Sequence, residues 1–111
     1  MKIENIETEE GLKLVTELKK GSPIRVFRIF RKNKFVFNED WHLHPEGHEY
    51  YCILKGKAKI LIEDKEIILK EGEMLHVLPG EKHTFLEVLE APYDSIVFRQ
   101  EFTKNDRVGN L

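Results

Sequence analysis

Between residues 24 and 102 the chain reads as short stretches of strand-like composition separated by turn residues. The candidate strands are 24–31, 34–38, 41–44, 49–54, 57–63, 66–69, 74–78, 83–89 and 95–102. The alternation is clearest in Lys57-Ala58-Lys59-Ile60-Leu61-Ile62-Glu63, where Ala58, Ile60 and Ile62 share one face. Asp64-Lys65 and Lys70-Glu71-Gly72 act as breakers. Strands this short at such regular spacing specify an all-β fold, an antiparallel sandwich or barrel.

Ahead of the strands, residues 8–20 read as one short N-terminal helix. Thr8 can cap it, Glu9 and Glu10 suit its first turn, and Lys19 and Lys20 suit its last, before Gly21. Leu12, Val15 and Leu18 form a narrow apolar stripe, although Gly11 weakens the first turn. Residues after 103 are polar and without period, and are expected to fray. The expected organisation is therefore a helical extension over 1–21, a β domain over 22–103 and a polar tail over 104–111.

A chain of 111 residues is one domain, large enough to bury a core without disulfide staples. Cys52 is the only cysteine, so no intrachain disulfide forms. Among Tyr50, Tyr51, Ile53 and Leu54 it reads as an inert thiol. Eighteen basic residues against twenty acidic ones give a net charge of -2, with no electrostatic case for nucleic acid or an anionic membrane. No DNA-binding segment accompanies the β domain, which argues against a transcription-factor regulatory domain. Met1-Lys2-Ile3-Glu4 lacks the apolar stretch of a signal peptide, and no apolar run approaches a membrane span. The expected location is cytoplasmic.

Chemistry concentrates in residues 41–56. His42 and His44 stand two apart, so on a strand both imidazoles project from one face. Glu49 follows beyond a Pro-Glu-Gly stretch that can bend the chain, and His83 follows a second turn, Leu78-Pro79-Gly80-Glu81-Lys82. Three imidazoles and one carboxylate suit a divalent transition metal, if the four side chains meet. Fe, Mn, Ni, Cu and Zn are not distinguishable from sequence.

The order of these residues over roughly 36–87 resembles the cupin family. That family's first motif sets two histidines one residue apart, then a glutamate, then a glycine. His42, His44, Glu49 and Gly56 hold those places. The second motif runs from a glycine through a Pro-x-Gly turn to a histidine, here Gly72, Gly80 and His83. Val36 stands in place of the opening glycine, Pro79 lies one place late, and Glu87 replaces the closing asparagine. The resemblance implies a jelly-roll β-barrel with His42, His44, Glu49 and His83 pointing inward onto a metal, and a homodimer.

Pocket lining is expected from Tyr51 and Ile53, which share parity with Glu49, from Phe85, which shares parity with His83, and from His76. His48 is expected to point away from the metal, and Trp41 to pack in a wall or interface. Ile96 and Phe98 offer apolar surface to a second copy. Arg25 and Arg31 share a face with Phe27 and Ile29; they read as solvated charge, with an anionic substrate as the alternative partner. Open metal positions would permit dioxygenase-type chemistry, or isomerase- or lyase-type chemistry by Lewis-acid polarisation. No general base is obvious; His76, Tyr51 and Glu87 are the candidates. The alternative function is a non-catalytic module that binds or senses a small ligand or metal.

Overall fold

The computed structural model describes residues 1, 3, 6–16, 22–102 and 106–111. All regular structure among them is antiparallel β: β1 Gly11–Thr16, β2 Ile24–Arg31, β3 Phe35–Val36, β4 Glu49–Ile62, β5 Lys65–Lys70, β6 Met74–Val77 and β7 His83–Gln100. The sheet runs in the order β1-β2-β7-β4-β5, with β3 on β7 and β6 on β4. No described helix is long and apolar enough to cross a membrane.

Two long strands form the spine. Candidates 49–54 and 57–63 fuse into β4, and 83–89 and 95–102 fuse into β7, paired from Glu49↔Arg99 to Ile62↔His83. Several register shifts interrupt that ladder between Ile53 and Ile60. Buried residues on β4 accordingly switch from odd positions (Tyr51, Ile53) to even ones (Ala58, Ile60, Ile62). Bulges of this kind bend a strand while returning its apolar residues to the same side.

The bend is large. Phe85 lies opposite Ile60, which on a flat strand would be about 30 Å from Tyr51. Yet the Tyr51 and Phe85 rings are 5.8 Å apart. The ribbon therefore folds over, and both halves line one core with Val77, Val88, Tyr93 and Val97.

The N-terminal helix is not formed. Gly11–Thr16 is instead an edge strand on β2, from Gly11↔Phe30 to Thr16↔Val26. Gly11 has φ +103°, which no helix accommodates, and Val15-Thr16 is β-branched and suits a strand. The open edge of β2 decides between two weak local preferences by offering a ladder of hydrogen bonds. The remainder of the expected helix, 17–20, lies outside the described residues.

The tail differs from expectation as well. Over 106–111 it is bonded to the 40–47 segment: Leu43 and Val108 exchange two 2.9 Å hydrogen bonds, and Leu111 N donates to Trp41 O at 3.1 Å. Asp106 is buried; its carboxylate accepts from Glu46 N at 2.9 Å and Gly47 N at 2.8 Å. Those two backbone N–H groups have no strand partner, so an acceptor from the tail satisfies them.

Candidate functional site

The fold brings His42, His44, Glu49 and His83 together. One ligand atom from each lies within 4.8 Å of the others, and all four residues are buried. A two-residue backbone bridge sets the arrangement, with His42 N donating to His83 O at 3.1 Å and His83 N to His42 O at 2.7 Å. His44 O accepts from Gly80 N at 2.9 Å, tying the first histidine segment to the turn before His83. Glu49 opens β4, flanked by Val77 of β6 and Arg99 of β7.

Each imidazole is held through Nδ1 by a backbone carbonyl. His42 Nδ1 bonds Asp40 O at 2.8 Å, His44 Nδ1 bonds Asp106 O at 2.7 Å, and His83 Nδ1 bonds Glu81 O at 2.9 Å. A carbonyl only accepts, so in all three rings Nδ1 carries a proton, and in a neutral ring Nε2 holds the free lone pair. His44 Nε2 is buried with no hydrogen-bond partner among the described residues. Burial also depresses the basicity of His42, to about 4, and of His44, keeping both rings neutral.

Glu49 is the electrostatic hub. Its Oε1 accepts from Tyr51 Oη at 2.6 Å and from His83 Nε2 at 3.1 Å, and its Oε2 from Arg99 Nε at 2.5 Å. Burial works to raise its pKa, but the His83 bond and the Arg99 charge outweigh it and hold the carboxylate well below the usual range. His83 is pushed the other way: burial favours its neutral form, and the bonds to Glu49 and Glu81 O outweigh that.

Beside the cluster lies a cavity of about 220 Å³. Its walls are Leu12 of β1, Phe27, Ile29 and Arg31 of β2, Phe37, Glu39, Tyr51 of β4, Phe85, Val97 and Arg99 of β7. Tyr51 and Arg99 line the cavity and also bond Glu49, so they stand between the cavity and the cluster. Of the lining expected from parity, Tyr51 and Phe85 are in the cavity wall. Ile53 is buried in the core instead, and His76 is exposed on the outward face, stacked on Tyr50 at 4.4 Å and 2.6 Å from His48 Nδ1.

Arg99, Glu39 and Asp106 were not legible as site residues. Arg99 shares parity with the buried Ser95 and Val97, a face less apolar in sequence than that of Ile96 and Phe98. Glu39 is exposed on the cavity rim, 3.3 Å from His42 Nδ1; partial desolvation by its surroundings, aided by the charge of Glu49, raises its pKa. Asp106 sits in a stretch whose sequence carries no period at all.

A family model described as "Cupin domain" matches residues 36–92. Over 50 residues the chain is 36% identical to the uncharacterized protein YdbB of Bacillus subtilis (strain 168), an alignment spanning 44% of each protein. Solved structures with the same fold include a Streptomyces nucleoside dehydratase (9% identical, TM-score 0.68, covering 96% of this chain and 83% of that one). KdgF from Halomonas sp. is 16% identical with TM-score 0.66, covering 91% and 87%. The DMSP lyase DddQ of Ruegeria pomeroyi is 19% identical with TM-score 0.60, covering 81% and 44%.

Proposed function

The chain belongs to the cupin family, and on that footing we propose that it is a metal-dependent small-molecule protein whose ion is held by His42, His44, Glu49 and His83. The observation that carries this reading is the common orientation of the three imidazoles. Each spends Nδ1 on a backbone carbonyl, which leaves Nε2 as the nitrogen able to coordinate (that of His83 bonds Glu49 in the metal-free site), the arrangement by which proteins orient metal-binding histidines. The orphaned Nε2 of His44 is the second support, because a buried acceptor without a partner is costly unless something fills its lone pair. Imidazole nitrogen with carboxylate oxygen suits Fe, Mn, Ni, Cu or Zn. Closing the ribbon into a jelly-roll barrel would keep this centre dry.

When bound, such an ion supplies Lewis-acid or redox chemistry to a molecule in the adjoining cavity. The chain's own residues do the rest. The aromatic walls exclude water, Arg99 keeps Glu49 ionised, and Tyr51 offers a hydroxyl beside it. Glu39 is the cavity carboxyl whose raised pKa suits it to carry a proton, so it joins Tyr51 as a general acid or base. Glu39 and Tyr51 in the wall favour lyase- or isomerase-type proton transfer over a purely sensing module. Named relatives of the fold do related chemistry, one a nucleoside dehydratase and one a DMSP lyase. A non-catalytic binding or sensing module is the second reading.

The direct test is elemental analysis of protein purified without added metal. We expect close to one transition-metal ion per chain, removable by chelator and restored by one equivalent. Protein that neither retains nor takes up stoichiometric metal would refute the assignment. Asp106→Ala is expected to weaken metal affinity by about tenfold or more, since it releases the 45–47 turn and the carbonyl that orients His44. A competition titration against a chromogenic chelator measures this, and an unchanged affinity would separate the tail from the site.

A further inference from the structure

Among the described residues, the cavity contains one cation that makes no hydrogen bond to a carboxylate and has only a distant, half-exposed glutamate as its charged neighbour. Arg99 is answered by Glu49 at 2.5 Å and Glu101 at 3.6 Å. Arg25, which the inward parity of β2 groups with Arg31, pairs with Glu101 at 3.4 Å and is absent from the cavity wall. Arg31 ends the row Phe27, Ile29, Arg31 that lines the cavity. Its Nε is buried and has no hydrogen-bond partner among the described residues. The contact to Glu10 is 3.7 Å, beyond hydrogen-bonding distance, and Glu10 is about half exposed. Its guanidinium carbon lies 3.8 Å from the centre of the Phe35 ring, which fixes the plane of the fork.

We infer that Arg31 is the recognition group for a small carboxylate with an apolar or aromatic body, bound in this cavity beside the metal centre. A planar guanidinium with unspent N–H donors matches a carboxylate in two parallel hydrogen bonds. Among the described residues, Glu39 is the only other charged side chain in the wall besides Arg31 and Arg99, and no ion pair joins it to Arg31. The remaining walls are Leu, Phe, Ile, Val and one Tyr, which reject a bare hydrated anion and accept a ring or short hydrocarbon. At about 220 Å³ the space is below the roughly 300 Å³ at which drug-sized pockets begin, so the ligand is of single-ring size.

The inference rests on the proposed metal-centred site for its chemistry, but its test does not depend on metal. The probes are benzoate, its uncharged isostere benzamide, and inorganic phosphate, titrated calorimetrically into the purified protein with metal content measured on each sample. Benzoate is expected to bind at least tenfold more tightly than benzamide, and phosphate not to bind in the same range. Arg31→Gln should lose at least tenfold in benzoate affinity and nothing in benzamide affinity or metal content. Arg31→Lys, which keeps the charge without the fork, should recover only part of the loss and controls for folding.

Equal binding of benzoate and benzamide, phosphate binding as well as benzoate, or benzoate affinity indifferent to Arg31 would each overturn the assignment. So would the absence of benzoate binding at millimolar concentration. Arg31-dependent benzoate binding by protein that takes up no metal would uphold it while refuting the metal reading.

Discussion

Exchanging Glu49 for glutamine is expected to abolish metal binding and to cost the metal-free protein about 3 kcal/mol of stability. Glu49 is fully buried, and three donors converge on it: Arg99 Nε, Tyr51 Oη and His83 Nε2. Glutamine keeps the volume but removes the charge, leaving a largely buried guanidinium facing a neutral amide. Breaking one side of such a pair costs about 3–5 kcal/mol, because the surviving charge stays desolvated. Arg99 retains Glu101 at 3.6 Å, which sets the expected loss at the lower end.

His44→Gln is the informative contrast. It removes one proposed ligand, yet in the metal-free protein His44 Nε2 makes no bond to lose among the described residues. Only the bond from Nδ1 to Asp106 O is at stake, worth about 1 kcal/mol. Both variants should fail to hold metal, and only Glu49→Gln should fall steeply in urea denaturation of chelator-treated protein. Equal destabilisation by the two would mean that Glu49 and Arg99 are not coupled as their geometry indicates.

What the sequence made legible divides along the range of the interactions. Strand faces are a matter of neighbours two apart, so Ala58, Ile60 and Ile62 could be assigned to one face, and all three are buried. His42 and His44 needed only that same rule, and with Glu49 and His83 they do converge. Arg99 reaches Glu49 through cross-strand register, and Arg31 joins the cavity through the fold-over of two long strands. The first relation has no local trace, and for Arg31 parity with Phe27 and Ile29 gives the face but not the cavity it lines. The 8–20 segment failed for the opposite reason. Its local signals were real but weak, and an unpaired edge on β2 outweighed them. Asp106 shows a third case: a polar tail reads as solvent-exposed until the unsatisfied amides of Glu46 and Gly47 are known.

Gly56 sits among the register shifts where the ribbon bends, and Gly56→Ala is expected to destabilise the protein by at least about 3 kcal/mol. Gly56 has φ +82°, a left-handed conformation that costs a residue with a Cβ about 1–2 kcal/mol. Space adds to this. A Cβ at this position would lie 2.6 Å from Pro92 O and 3.1 Å from Tyr93 Cα, with Glu90 O as near. These are all backbone atoms of β7, so no side chain can rotate away and the two spine strands would have to separate where the ribbon bends. Gly72 and Gly80 provide the control, since their φ values are +85° and +83° but no described atom outside their chain neighbours lies within 4 Å of where a methyl group would sit. Alanine at either should cost only the conformational share, about 1–2 kcal/mol. Thermal melts of the three variants separate strain from close approach. If Gly56→Ala melts with Gly72→Ala and Gly80→Ala, then contact with β7 does not set the bend. The meeting of Tyr51 with Phe85, and with it the cavity wall, must then be fixed by core packing alone.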